Sequence, residues 1–314
     1  MEFMVEQSNR LDKFLAAEIK EFSRTQLQKA VQSGVVKVNG NFVTKPGFKL
    51  RKNDRVTVSK EKLISLISGQ KKKFVVEPEE MPLNIVYEDD DILVVNKQAG
   101  LLVHPTLKHL RHTLVNGLVF RHPEIINVGE NHLRPGIVHR LDKNTSGLLI
   151  AAKNQKSFLF VKEQFLKRQV EKKYLALVEG VPKNKKGTIK YPIKPSKHYR
   201  LKKIAVKKES SGKKSERLAE TNYKIIKTFG AKFALLEVEP KTGRTHQIRV
   251  HLASIGHPIA GDALYGAKNE FSEKRHFLHA YYLKFILPNG SPIALETDLP
   301  EDLRKFLEGL NPQQ

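Results

Sequence analysis

The stretch from Pro135 to Ala152 constrains this chain more than any other. Its last five residues, Leu148-Leu149-Ile150-Ala151-Ala152, form a short run without a polar side chain, the pattern of a buried strand. A polar turn precedes that run, Arg140-Leu141-Asp142-Lys143-Asn144-Thr145-Ser146-Gly147, and Val138 lies upstream of it. Asp142 is therefore held at the lip of a core. Arg140 and Lys143 flank it, Thr145 and Ser146 supply hydroxyls, and Gly147 supplies a hinge. A carboxylate kept beside cations is available as a nucleophile or a base. For an aspartate considered alone, the ordinary alternative is half of a solvated ion pair on a surface loop.

Composition decides what such a turn would meet. The chain has 314 residues, which suggests two domains rather than one. Its formal net charge is +23, which points to a polyanionic partner. A membrane surface is the competing partner, but no lipid-anchor motif occurs and no apolar run is long enough to cross a bilayer. The opening residues, MEFMVEQSNR, lack the apolar core of a signal peptide. Cysteine is absent, which excludes disulfides, thiolate metal sites and thiol catalysis. The expectation is a soluble cytoplasmic protein that binds nucleic acid.

Residues 10–34 read as two short helices. Leu11, Phe14, Leu15 and Ile19 fall at helical spacing, and Ser23 with Gln26 forms a capping box for a second helix that buries Leu27, Ala30 and Val31 and stops at Gly34. Val35-Val36-Lys37-Val38 then meets Asn39-Gly40, a type I′ hairpin signal, before Asn41-Phe42-Val43, and Val56-Thr57-Val58 completes a small sheet. Over residues 1–75, sixteen Lys and Arg face seven acids. That excess favours contact with a nucleic acid over a merely solvated face. Residues 71–79 read as a linker.

The second domain runs from residue 80 to 314. Ile85-Val86-Tyr87 and Ile92-Leu93-Val94-Val95-Asn96 read as strands around an acidic turn, and Asn96-Lys97-Gln98-Ala99-Gly100-Leu101-Leu102-Val103-His104-Pro105 follows. Beyond the Asp142 turn, Asn154 caps a helix with Phe158, Val161 and Phe165 on one face and Lys167-Arg168 in its last turn. Lys172-Lys173-Tyr174-Leu175-Ala176-Leu177-Val178-Glu179-Gly180 alternates like a strand. Residues 183–217 carry fourteen Lys or Arg against two acids and read as a flexible basic insertion.

Tyr223–Ile226 and Phe233–Val238 make a hairpin turning at Gly230. It leads into Lys241-Thr242-Gly243-Arg244-Thr245-His246-Gln247-Ile248-Arg249-Val250-His251-Leu252, where Thr245 is placed to cap a helix, and then Gly256-His257-Pro258-Ile259-Ala260-Gly261-Asp262. His246, His251, His257, His276 and His279 have no acidic partners at a recognised metal-ligand spacing, so structural roles are expected and no metal site. A Gly-rich phosphate loop is also missing.

Three of these segments, around Asn96–Pro105, His139–Ile150 and Lys241–Asp262, together with Lys172–Gly180, resemble in order the motifs of the pseudouridine synthases of the RluA/RluD type. Gln98 departs from the pattern, which has proline there. The first 70 residues resemble the ribosomal protein S-four-like (alpha-L) RNA-binding domain. The resemblance implies an α+β catalytic fold, with a central, mainly antiparallel sheet flanked by helices, behind a small α/β RNA-binding domain. It implies isomerisation of uridine to pseudouridine in RNA, most plainly large-subunit ribosomal RNA, by a monomer that needs no cofactor. Transfer RNA as target, or a non-catalytic role in RNA binding or ribosome assembly, are the alternatives. In the family pattern Asp142 reacts, Tyr174 packs on the target base, and a basic residue, assigned to Arg244, pairs with the aspartate. Arg140 and His139 with Ile248 then contact the substrate, while Arg24, Lys29 and Lys37 face RNA from the first domain.

Overall fold

The computed structural model describes residues 1–69, 75–106, 108–196, 199, 202–206, 215–268, 271 and 275–310. The chain divides into two compact units, residues 1–74 and 75–314.

In the first unit, β1 (Glu2–Met4) and β2 (Asn9–Arg10) precede α1 (Leu11–Glu18) and α2 (Arg24–Gln32). Then come β3 (Val36–Val38), β4 (Asn41–Phe42), β5 (Lys49–Leu50), β6 (Arg55–Val58) and α3 (Lys60–Gly69). The sheet order is β1-β6-β3-β4. Apolar side chains at helical spacing on α1 and α2 close over alternate residues of β3 and β6, so Leu11, Leu15, Leu27, Val31, Val36 and Val56 are all fully buried. The capping box at Ser23 forms as expected. The hairpin turns with φ of 50° at Asn39 and 81° at Gly40, the two left-handed residues that a type I′ turn requires. Asp12 is buried in this core, where burial pushes its pKa up but hydrogen bonds from Arg10, Arg24 and Gln28 outweigh that and hold the carboxyl below its ordinary value.

The second unit opens with β7 (Ile85–Glu88), β8 (Ile92–Lys97), α4 (Leu114–Arg121), β9 (Ser146–Ala152), α5 (Gln155–Leu166) and β10 (Glu171–Glu179). It continues with β11 (Lys186–Ile189), β12 (Ile193–Pro195), β13 (Lys203–Ala205), β14 (Thr221–Phe229) and β15 (Phe233–Pro240). The last elements are α6 (Gln247–Ser254), β16 (Leu278–Ile286), β17 (Pro292–Glu296) and α7 (Glu301–Gly309). One sheet of nine strands runs β11-β14-β15-β10-β16-β9-β8-β7, with β17 added to β16. Its pairings are antiparallel except between β9 and β16, where His279 lies opposite Ser146 and Ala280 opposite Gly147. Every residue of β9 is buried. Leu93, Val95, Leu149 and Ala151 face one core, and Ile92, Val94, Leu148 and Ile150 face the other. That two-sided burial is why the strand reads as an unbroken apolar run.

Three expectations are corrected here. Residues 75–79 do not act as linker: Val76 is buried in the core of the second unit, Glu77 O accepts from Asn116 Nδ2 at 2.7 Å, and Glu79 N donates to Asn116 O at 3.1 Å. Residues 71–74 of the expected linker lie outside the described residues. Among its described residues the 183–217 segment is not one flexible insertion, since β11 pairs with the sheet edge at β14 and β12 pairs with β13 as a ribbon. Residues 197, 198, 200, 201 and 207–214 lie outside the described residues. Thr245 does not cap α6. The cap is His246, whose side chain makes no capping hydrogen bond, and the side chain of Gln247 instead ties down the preceding loop by accepting from Arg244 N at 3.0 Å.

Candidate active site

Asp142 sits one turn before β9, and the turn is pinned from both ends. Lys97, at the end of β8, is buried and donates to the carbonyls of Gln98, Leu101 and Lys143 at 2.8, 2.9 and 3.1 Å. Gly100 N donates to the same Lys143 carbonyl at 2.9 Å. One ammonium thus stitches the loop after β8 to the Asp142 turn. Burial, then the charge of Arg275, pulls its pKa down to about 7 against the opposing pull of Asp142. On the other side, Thr145 N donates to Asp142 O at 3.1 Å, and its hydroxyl meets His276 Nε2 at 2.8 Å.

The carboxylate itself is held by α6. Arg249 Nη1 donates to Asp142 Oδ2 at 3.1 Å. The same guanidinium is bidentate to Asp262, through Nε at 2.7 Å and Nη2 at 2.9 Å, and its carbon lies 5.0 Å from the centre of the Tyr265 ring. Burial would lower its pKa, but the bonds to Asp262 and the charge of Asp142 hold it above the ordinary value. A buried guanidinium bonded to two carboxylates, with a ring on its face, is itself held in place and offers Asp142 one fixed donor on Oδ2.

This corrects the assignment of Arg244. Its Nε donates to Leu218 O at 3.1 Å and it stands exposed at the cleft rim, in the loop before α6. Arg249 lies inside Gln247-Ile248-Arg249-Val250-His251-Leu252, every residue of which is buried, and a buried charge needs a buried partner.

Tyr174 is buried in β10 and lines the same cleft. A register shift between Lys173 and Tyr174 sets it opposite Ala280, beside the β9–β16 junction, which is how a bulge re-aims a side chain. Burial, then the negative charge of Asp142, raises its pKa, so the phenol keeps its proton. Ile248 is buried and also lines the cleft.

Arg140 is exposed along one wall, with Nη1 3.5 Å from His104 Nε2 and Arg134 nearby; burial and then Arg140 lower the pKa of Arg134. His104 is thus the buttress of a basic wall of which Arg140 alone was expected, because nothing local in the sequence marks Arg134. His139 does not reach out to a substrate. Its Nε2 accepts from Ile150 N at 2.9 Å, its ring stacks on Phe165 at 4.7 Å, and burial, then Lys172, takes its pKa down to about 3. The cleft has a volume of about 800 Å³, and Lys162, Arg168, Lys172 and Lys241 add to its basic lining.

In the first unit, Arg24 is engaged with Asp12 at 2.6 Å, and Lys37 Nζ lies 4.5 Å from the centre of the exposed Phe42 ring. Lys29 is exposed on α2.

Comparison with known proteins places this geometry. Residues 91–254 match the family described as RNA pseudouridylate synthase, and residues 9–56 match the S4 domain. An RNA pseudouridine synthase of Aquifex aeolicus is 41% identical, covering 99% of this chain and 96% of its own. The chain belongs to the RNA pseudouridylate synthase family. The ribosomal large subunit pseudouridine synthase D of Borreliella burgdorferi is 37% identical over 98% of this chain and 91% of its own. Among solved structures, human RNA pseudouridylate synthase domain containing 1 is similar with a TM-score of 0.55 at 28% identity, over 74% of this chain and 97% of that one. In this RNA pseudouridine synthase His251 meets Thr221 and Tyr191, His257 meets the Glu179 carbonyl, and His279 meets Ser146.

Proposed function

We propose that this pseudouridine synthase acts on large-subunit ribosomal RNA, as a cytoplasmic monomer, with Asp142 as the reacting group. The observation that carries the mechanism is Asp142 held on Oδ2 by the buried Arg249, in a basic cleft that also presents Tyr174 and Ile248. The target is supported by near full-length similarity to relatives named as large-subunit synthases.

The reaction breaks the bond between N1 of uracil and C1′ of the ribose, turns the base, and joins C5 to C1′. One proton leaves C5 and one arrives at N1, so no oxidant or co-reactant is consumed. The target base has to leave its stack, at a cost of a few kcal/mol. Arg140 fills the vacated place and binds a phosphate. Ile248 packs on the uracil and Tyr174 on its edge. Asp142 acts on the sugar–base unit while Arg249 keeps it in place. Arg244, at the rim, contacts RNA phosphate, as do Lys29 and Lys37 from the S4 domain, while Arg24 orders that face through Asp12.

The test is carbodiimide mapping of pseudouridine on total RNA, comparing wild-type cells with a strain carrying only Asp142→Asn. Loss of discrete large-subunit stops is the expected result. Loss from transfer RNA would replace the target, and unchanged maps would remove Asp142 from the chemistry.

A further inference from the structure

His246 has the left-handed backbone that residues with side chains seldom adopt, with φ of 58°, and it does so at the cleft. Such a conformation persists only where the surroundings dictate it. Gln247 dictates it here. Its Oε1 accepts from Thr242 Oγ1 at 2.6 Å and from Arg244 N at 3.0 Å, and its Nε2 donates to Glu220 O and Thr221 Oγ1, both at 2.9 Å. All four bonding capacities of the buried amide are used to lock the loop that ends at His246.

The ring so placed lies with Nδ1 2.9 Å from Tyr265 Oη and Nε2 3.9 Å from Asp142 Oδ2. Tyr265 Oη already accepts the backbone N–H of Lys203 at 3.0 Å. Burial raises the phenol to about 12, so it keeps its own proton, and His246 Nδ1 is in reach to accept it. That leaves Nε2 as the nitrogen carrying N–H on the side of Asp142. Burial, with Arg249 and Lys203, outweighs Asp142 and Asp262 and keeps the imidazole pKa below its ordinary value, so the neutral tautomer persists at pH 7.

We propose that His246 is a positioning residue for the isomerisation, its Nε2–H serving with Arg249 as the second donor to Asp142 Oδ2 and turning Oδ1 toward the target ribose. This rests on Asp142 being the reacting carboxylate. At 3.9 Å the two atoms stand beyond hydrogen-bond reach in the free enzyme, and catalytic contacts of this kind often tighten only in the complex with substrate. Tyr265 has two parts in it: its hydroxyl sets the tautomer of His246, and its ring lies on the guanidinium of Arg249.

Tritium release from a transcript of large-subunit ribosomal RNA labelled at uridine C5 tests this in the full chain. His246→Asn tolerates the left-handed backbone, but its shorter amide does not reach Asp142. It should lower kcat about ten- to hundredfold, the loss of one hydrogen bond to a charged group, and leave KM within threefold. His246→Gln places an amide N–H near the position of Nε2 and should restore most of that loss. Tyr265→Phe keeps the ring over Arg249 and should lower kcat about two- to tenfold. Wild-type kcat in His246→Asn, or equal damage in the Asn and Gln variants, would overturn the assignment while the function stood. Release by wild-type protein that persisted in Asp142→Asn, or no release by wild-type protein at all, would overturn both.

Discussion

At the scale of single residues, the site is decided by which arginine is buried. Arg249 serves Asp142 and Asp262 together, so Arg249→Met leaves two carboxylates without their cation, one of them 2% exposed. Breaking a buried pair in this way costs about 3–5 kcal/mol, and urea unfolding should read that loss along with loss of tritium release. Arg249→Lys keeps the charge but not the fork, and should fold while turning over at least about tenfold more slowly. Arg244→Ala should leave kcat unchanged and raise KM, because that side chain binds only at the rim. The reverse pattern, a collapse of kcat in Arg244→Ala alone, would restore the assignment that sequence reading made. His139 gives a pH dependence of defined sign. Its pKa falls from 6.5 to about 3 on folding, so between those values the unfolded chain binds a proton that the native chain does not. Stability contributed by the neutral ring is full above pH 6.5 and is lost as pH falls toward 3. The bond from Ile150 N needs the lone pair on Nε2 and disappears with protonation. His139→Gln should therefore narrow the gap between urea midpoints measured at pH 7.5 and pH 5.

Elements divide into those written locally and those that depend on distant partners. The buried run at β9, the apolar spacing of α1, the Ser23 capping box and the Asn39-Gly40 turn are all settled by neighbours within a few residues, and all are legible in the sequence. The docking of residues 75–79 and the β12–β13 ribbon are not. The first depends on Asn116, and the second on burial of Ile193 against Val250 of α6. A count of lysines sees charge density and misses the few apolar residues that anchor it. The site divides in the same way: Asp142 and Tyr174 stand in contiguous motifs, whereas the choice between Arg244 and Arg249 turns on the burial of α6 through Gln247–Leu252 while the loop before it stays at the surface. The parallel junction of β9 and β16 is the element most exposed to a single change. Gly147 has φ of 117°, and a Cβ there would lie 2.2 Å from Ala280 O. Gly147→Ala should cost about 3 kcal/mol or more, combining strain with a backbone clash next to the Asp142 turn. Gly230→Ala, with φ of 57° and nothing within 4 Å, should cost only about 1–2 kcal/mol. Equal urea midpoints for the two variants would show that the junction yields.

For the whole molecule the governing quantity is charge. A net +23 on 314 residues, with sixteen Lys and Arg in residues 1–75 and fourteen in 183–217, is more than one cleft uses. Cations spread over a nucleic acid bind by releasing counterions, so affinity falls with salt at about 0.7–0.9 of a log unit per phosphate contact for each log unit of salt. Binding and turnover should therefore separate. Raising salt should weaken RNA binding steeply while kcat at saturating RNA stays level, because Asp142, Arg249 and Asp262 form a pair network shielded from solvent. Lys183, Lys185 and Lys186 are exposed at the start of the basic segment. Replacing all three with alanine should reduce the slope of log affinity against log salt by about two units if each meets a phosphate, and leave kcat unchanged. A filter-binding titration of the large-subunit transcript from 50 to 400 mM salt measures that slope directly. An unaltered slope in the triple variant would confine the phosphate grip to other lysines, and a flat slope in the parent chain would mean that its charge does not hold RNA through the phosphates.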